Sequence, residues 1–167
     1  MTTLSFRDQP GPADLAAVRR LTHDSGGFSA VEVELAVELL QERLDRGLEA
    51  SGYHFLFADS GDASALGYVC HGPAPLTAAS WDLYWIAVPV ADQGRGIGRQ
   101  LLAAAEARAV AAGAAAIYAD TSGRPDYART RDFYHRAGYL KAAELPDFYA
   151  PGDAKVIFAK KLPSTAL

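Results

Sequence analysis

The sequence QGRGIG, at residues 93–98, holds three glycines and an arginine within six positions. The run WDLYWIAV before it (81–88) is rich in aromatic and β-branched residues and predicts a strand. The Ala- and Leu-rich segment 98–112 after it predicts a helix that ends at Gly113. A helix N-terminus that follows a glycine turn gathers free backbone N–H groups, which bind phosphate. The stretch therefore indicates either a phosphate-binding turn or a purely structural one.

The glycine spacing argues against two familiar nucleotide-binding loops. A β-carbon would obstruct the approach of a ligand to the backbone, and we expect Gly94, Gly96 and Gly98 to remove that obstruction. The dinucleotide fingerprint needs G-x-G-x-x-G and the Walker A loop needs G-K-[ST]; the turn has neither. Arg95 and Arg99 would add positive charge beside a phosphate.

The rest of the chain predicts a mixed sheet flanked by helices, an α/β fold in one domain spanning residues 1–167. The predicted order is β, α, α, β, β, β, α, β, α, β, with a further short strand at 139–144. The second helix would begin at Ser29, with Glu32 completing a capping box, and would end at Gly47. The strand–helix–strand passage around the glycine turn predicts a parallel pair, and the hairpin joined at residues 61–64 predicts an antiparallel one.

Composition excludes several classes of function. The chain has 167 residues, half of them hydrophobic, and a formal net charge of −4, which argues against a general nucleic-acid binder. It has no apolar run of the length of a membrane span and no signal-peptide core at its start, so we expect a soluble cytoplasmic protein. Cys70 is better interpreted as a buried thiol than as a nucleophile. The four histidines are scattered, and we expect no metal.

The segment from the central strand to the following helix resembles the GNAT N-acetyltransferase superfamily. QGRGIG is similar to the family signature Q/R-x-x-G-x-G/A, with Gln93, Gly96 and Gly98 at the fixed positions. LYWIAV (83–88) resembles the family's central strand, and RQLLAAAEARAVAAG (99–113) resembles the helix after it.

A second motif extends the resemblance to about residues 80–140. TRDFYHRAGY (130–139) is similar to the family's A-x-x-F-Y-x-x-x-G-F element, although Thr130 replaces the usual alanine and Tyr127 replaces a common asparagine. The resemblance implies a mostly antiparallel sheet, flanked by about four helices and splayed open between its central parallel strands, here 81–88 and 115–121.

The resemblance also implies that acetyl-CoA is the acetyl donor. Backbone N–H groups of the glycine turn would hold the CoA pyrophosphate, and the backbone of residues 86–88 would pair with the pantetheine amides. A backbone N–H near Ala87 would stabilise the oxyanion. The cofactor contacts implied in this way involve Ile86, Ala87, Val88, Gln93, Gly94, Arg95, Gly96, Ile97, Gly98, Arg99, Tyr127 and Thr130.

The general acid implied by the resemblance is Tyr134. A phenol has an ordinary pKa near ~10 and a thiol near ~8.5, so a positioned tyrosine could protonate the departing thiolate. Tyr127, Thr130 and Tyr134 are spaced to share one helix face. The alternative is that Tyr134 extends the core stripe of Phe133 and Ala137.

The general base implied by the resemblance is Asp82, at the start of the central strand. An aspartate with an ordinary pKa near ~4 is a weak base, so burial would have to raise that pKa, or the residue would act through water. The alternative is a strand-end charge in solvent. Tyr84, on the same face, is a candidate for positioning the substrate.

The acceptor is less defined than the donor. Candidate substrate-binding residues are Asp120, Thr121 and Tyr149, although residues 120–122 are also typical of a turn, and residues 148–149 could instead anchor a loop over the core. We expect direct transfer of the acetyl group to a primary amine of a small or amino-acid-like molecule. The alternative is a non-catalytic acyl-CoA-binding or regulatory module on the same fold. The sequence leaves the oligomeric state open, a homodimer included.

Overall fold

The computed structural model describes residues 4–61 and 64–163. The described residues form seven strands and four α-helices in the predicted order. The strands are β1 (Ser5–Arg7), β2 (His54–Asp59), β3 (Ala65–Pro73), β4 (Ser80–Ala87), β5 (Ala116–Ser122), β6 (Leu140–Ala150) and β7 (Asp153–Lys161). The helices are α1 (Asp14–Asp24), α2 (Ala30–Ser51), α3 (Ile97–Ala111) and α4 (Ala128–Arg136). Within the predicted hairpin turn at 61–64, Asp62 and Ala63 lie outside the described residues.

The seven strands belong to a mixed sheet, which confirms the predicted α/β architecture. The chain divides into two compact units. The first unit is Met1–Gly72 with Trp85–Arg108, and the second unit is Pro73–Tyr84 with Ala109–Leu167. That residues 1–167 work as one functional domain stays a prediction. No helix in the described part of the chain is long and apolar enough to cross a membrane.

The first unit contains an antiparallel arrangement of β1, β2 and β3 with helices packed on it. The register pairs Phe6 with Ala58 and Leu56 with Val69. A β-carbon on Gly67 would lie 2.9 Å from the Ala87 carbonyl oxygen, so β3 approaches the end of β4 too closely for any side chain there. The fully buried core side chains of this unit include Val18, Leu21, Leu40, Leu56, Phe57, Tyr68 and Leu101.

Helix α2 begins as predicted but does not end as predicted. Ser29 Oγ accepts a hydrogen bond from the Glu32 N–H at 3.3 Å, and Glu32 Oε2 accepts one from the Ser29 N–H at 2.7 Å. Gly47 was expected to end the helix: it does break the helical geometry (φ 79°, ψ 174°), but a further helical turn follows it and runs to Ser51. The left-handed cap is Gly52, whose N–H donates to the Leu48 carbonyl at 2.8 Å.

The second unit contains the predicted parallel pair. β4 pairs with β5 from Ser80↔Ala116 to Leu83↔Ala119. This ladder is shorter than β5 itself, which continues to Ser122. β5 then pairs with β7 in the antiparallel sense over its whole length, and β7 pairs with β6. Helix α4 places the Tyr134 ring against Phe158 of β7.

Strand β6 is longer than the short strand predicted at 139–144. It runs to Ala150, with an irregular register between Leu145 and Ala150 where Pro146 interrupts the ladder. Phe148 and Tyr149 therefore lie on a strand and are about half exposed (54% and 50%), so they do not anchor a loop over the core. Their rings contact each other edge to face.

Candidate active site

Two glycines of the 93–98 turn have a backbone conformation that favours glycine. Gly94 and Gly96 have φ angles of 81° and 79°, in the left-handed region. A β-carbon on Gly94 would meet nothing within 4 Å, and one on Gly96 would meet only Gln100 Nε2, at 3.9 Å. Conformation, rather than crowding by other parts of the chain, therefore requires these two glycines. Gly98 lies within the first turn of α3.

The turn presents a row of backbone donors at the N-terminus of α3. The six N–H groups from Gly94 to Arg99 have no acceptor within the described residues. The N–H of the following residue, Gln100, donates to the Gly96 carbonyl at 3.1 Å. The Gln93 N–H was expected to join this row, but it donates to the carbonyls of Pro89 and Val90 at 3.1 and 3.3 Å. The donor row therefore begins one residue later than predicted.

The Gln93 side chain has a role that the sequence did not indicate. Its amide nitrogen donates to the Ser25 carbonyl at 3.0 Å and to the Val88 carbonyl at 2.9 Å. The Val88 carbonyl is thus already bonded within the protein, which leaves Ile86 and Ala87 as the better candidates for backbone pairing with pantetheine. The two hydrogen bonds of its side chain thereby hold Gln93, the first residue of the turn, to Ser25 and to Val88.

The two arginines of the turn differ. Arg95 forms an ion pair with Asp92, so much of its charge is offset. Arg99 is exposed on the first turn of α3 and makes no ion pair with any described residue. Arg99 is therefore the better candidate for adding positive charge beside an anion.

Asp82 lies on a polar face of the second unit. Because Asp82 pairs with Tyr118, the two side chains share a face, and Asp120 follows two residues later on that face. Lys155 Nζ contacts Asp120 Oδ2 at 2.6 Å. Partial burial raises the pKa of Asp82, and repulsion from Asp120 raises it further, while Lys155 lowers it. The burial that a basic aspartate requires is therefore present, and its catalytic role stays a prediction.

Tyr134 is a buried residue of α4, with only 3% of its surface exposed. Its ring stacks on Phe158 and meets Tyr139 edge to face, both at 5.4 Å between centroids. Burial, and secondarily the Asp120 charge, raise the pKa of Tyr134 well above that of an ordinary phenol. Tyr134 is thus a weaker acid than the comparison of ordinary pKa values implied, and it stays protonated at neutral pH.

The predicted acid and base arise from opposite faces of the strands. Phe158 pairs with Ala119, so Tyr134 packs on the face that Ala119 presents, whereas Asp82 shares the face of Tyr118. The electrostatic influence of Asp120 reaches both residues.

The second unit contains four further candidate residues, which lie on three different elements and the 3₁₀ turn before α4. Tyr127 ends a 3₁₀ turn before α4 begins, so it does not share an α-helical face with Thr130 and Tyr134. The Arg124 guanidinium lies 5.3 Å from the Tyr127 ring centroid. Thr130 and Tyr84 are each partly buried, and Tyr149 lies on the exposed strand β6.

Residues 120–122 belong to strand β5 and do not form a turn. Thr121 is buried and points to the opposite face from Asp120, so the two do not line one surface. Ser122 donates a hydrogen bond to Asp153, which the sequence did not single out. Asp153 and Lys155 both come from β7, and no local signal marked them, because only the β5–β7 register brings them to β5.

Cys70 is fully buried in β3, as predicted, and burial raises the pKa of its thiol. Within the described ranges, no three His, Cys, Asp or Glu side chains form a group that could hold a metal ion.

Comparisons with known proteins agree with this fold. The sequence model of the Acetyltransferase (GNAT) family matches residues 17–139. A crystal structure from Desulfovibrio desulfuricans, of a protein assigned to the GNAT acetyltransferases, is 42% identical, with a TM-score of 0.93 over 96% of this chain and 100% of that one. This chain therefore belongs to the GNAT family of acetyltransferases, which are acyltransferases. No curated protein sequence matches the chain.

More distant structures share the fold alone. An aminoglycoside 6′-N-acetyltransferase complexed with coenzyme A is 17% identical, with a TM-score of 0.72 over 98% of this chain and 99% of that one. The protein yncA from Salmonella typhimurium, assigned as an acetyltransferase and solved with acetyl-CoA, is 18% identical, with a TM-score of 0.72 over 99% of this chain and 98% of that one.

Proposed function

We propose that this chain is an acetyl-CoA-dependent N-acetyltransferase that transfers the acetyl group directly to a primary amine of a small or amino-acid-like molecule. The observation that carries the proposal is the row of six backbone N–H groups from Gly94 to Arg99, which have no acceptor among the described residues. Membership of an acyltransferase family, and two structural relatives solved with CoA or acetyl-CoA, support the same donor.

The donor row fits a diphosphate. Gly94 and Gly96 have positive φ angles, as in the backbone turns that bind anions, and the N-terminus of the 15-residue helix α3 adds a partial positive charge. Arg99 supplies a full charge next to this row. When bound, acetyl-CoA supplies an acetyl group activated as a thioester.

The residues of the second unit handle the protons. Asp82, with its raised pKa, accepts a proton from the ammonium form of the acceptor, directly or through water. Tyr134 keeps its proton and serves as a hydrogen-bond donor to the departing sulfur, because its raised pKa disfavours complete transfer. A backbone N–H near Ala87 is the proposed oxyanion donor.

Direct transfer is favoured over a covalent acyl-enzyme. The thiol of Cys70 is buried with a raised pKa, so it is neither accessible nor ionised. The acceptor is proposed to be cationic, because the negative charges of Asp82 and Asp120 exceed the single positive charge of Lys155 on the face that they share.

The test is an assay of free CoA release across a library of primary amines, with the Asp82→Asn variant alongside. We expect at least one amine to support turnover, and Asp82→Asn to lower it while leaving CoA affinity unchanged. Loss of CoA affinity in Asp82→Asn would contradict the assigned role of Asp82.

A second candidate is a non-catalytic acyl-CoA-binding module. The observation that favours it is the placement of Tyr134 and Asp82 on opposite faces, with Tyr134 packed as a core aromatic. Tight acetyl-CoA binding with no turnover on any amine would establish this candidate and overturn the enzyme.

A further inference from the structure

The first unit contains a small cavity that is lined by charged and titratable side chains. Its volume is about 140 Å³, and its polar lining includes Asp8, Arg43, His54, His71 and Arg108. These side chains come from α2, from the facing ends of β2 and β3, from the segment after β1 and from α3. No step of the proposed acetyl transfer uses any of them.

Two arginines line this cavity. Arg43 Nε is buried and has no hydrogen-bond partner in the described part of the chain. Among the described residues, Arg108 has only long contacts, to Asp8 Oδ2 and to the Ala104 carbonyl, both at 3.4 Å. An oxyanion in the cavity would meet two guanidinium groups, and guanidinium forms strong charge-assisted hydrogen bonds with phosphate and carboxylate.

We propose that this cavity is a binding site for a small oxyanion, a phosphate or carboxylate group held between Arg43 and Arg108. The two arginines outnumber the carboxylate of Asp8, so the lining has a net positive charge. A volume of about 140 Å³ is several times the ~30 Å³ that one water molecule occupies in the liquid, so a small polyatomic anion fits.

The site is separate from the glycine turn within the same unit. Arg108 lies eleven residues after Ile97 on α3, which corresponds to about 16 Å along the helix axis. The inference therefore does not depend on the proposed acetyl transfer, and either one can fail alone.

The two histidines give the site a defined pH dependence. Their rings lie 5.7 Å apart. Burial and Arg43 lower the pKa of His54, which Asp8 partly restores, whereas burial, His54 and Arg108 lower the pKa of His71 to about 3. A bound anion opposes the arginine charges and raises both pKa values, so its affinity increases as the pH falls toward the titration of His54.

The first experiment follows the four histidine ring signals by NMR while inorganic phosphate is added to the full chain. We expect saturable shifts of His54 and His71 at about millimolar phosphate, whereas the exposed His23 and His135 serve as internal controls. Uniform small shifts of all four signals, or no shift, would overturn the site. Acetate in place of phosphate distinguishes a carboxylate ligand from a phosphate ligand.

Charge variants then test the geometry. Arg43→Gln should weaken phosphate binding about tenfold or more, and Asp8→Asn should strengthen it several-fold. Arg46→Gln is the matched control, because Arg46 lies on the same helix but pairs with Glu42 at the surface. Equal weakening by the two arginine variants would sink the inference. Thermal melts with and without phosphate separate lost binding from lost folding, since phosphate should raise the midpoint of the wild type more than that of Arg43→Gln.

Discussion

The left-handed conformation of Gly96 allows a prediction whose magnitude follows from the structure. In the variant Gly96→Ala the new β-carbon meets only Gln100 Nε2, at 3.9 Å, so no steric clash arises. What remains is the strain of an alanine at a φ of 79°, about 1–2 kcal/mol.

That strain appears in one of two measurements. If the free protein keeps the turn, the free energy of unfolding falls by about 1–2 kcal/mol, which lowers the melting midpoint by roughly 2–8 °C. If the turn relaxes instead, CoA binding must restore it, and the affinity for CoA falls about 5- to 30-fold. The two losses, expressed as free energies, should sum to about 1–2 kcal/mol.

Denaturant unfolding and calorimetric titration with CoA measure the two parts separately. Gly11→Ala is the control, because Gly11 lacks a left-handed φ and a β-carbon there meets nothing within 4 Å. If Gly96→Ala lost neither stability nor CoA affinity, the conclusion that the left-handed φ requires glycine at this position would be refuted. Loss of stability with unchanged CoA affinity would support the fold argument alone.

Three further predictions concern other parts of the chain. Tyr134→Phe should lower kcat of acetyl transfer by about 10- to 100-fold with little change in CoA affinity, because only the phenol O–H is removed; full turnover would remove its assigned role. Lys155→Met should move the acidic limb of the kcat/KM profile to higher pH, because the lysine lowers the pKa of Asp82 and a base must be deprotonated to act. A limb that moved to lower pH would contradict this sign. Ser29→Ala should reduce the free energy of unfolding by about 1 kcal/mol through loss of the capping box with Glu32, and an unchanged denaturant midpoint would count against that cap.

Matched controls accompany these variants. Tyr139→Phe removes the phenol O–H of another buried tyrosine, which meets the Tyr134 ring edge to face, and it should leave kcat unchanged. Lys141→Met removes an exposed lysine that is paired with Glu144 on β6, and it should leave the acidic limb unchanged.

Features with local signals were predictable from the sequence. The order of strands and helices, the capping box of Ser29 and the parallel pair each depend on residues close together in the chain. The glycine turn was found in the same way, and only its conformational detail needed coordinates. Strand β6 was underestimated because nearly all its residues are exposed, so no alternation of buried and exposed side chains marks it.

Contacts set by strand register could not be predicted. Lys155 reaches Asp120, and Asp153 reaches Ser122, only because β7 pairs with β5 in one particular register. The raised pKa of Tyr134 likewise follows from its packing against Phe158, which comes from a different strand.

The side-chain amide of Gln93 makes the electrostatic potential at the glycine turn less negative. Carbonyl oxygens near an anion repel it, and those of Ser25 and Val88 both lie within 3.0 Å of the Gln93 nitrogen. By donating to both, a single neutral side chain offsets the negative ends of two peptide dipoles at the residue that precedes the donor row. The proposed binding of a doubly charged diphosphate at the turn would therefore need only backbone groups and one exposed arginine, and no cluster of basic residues.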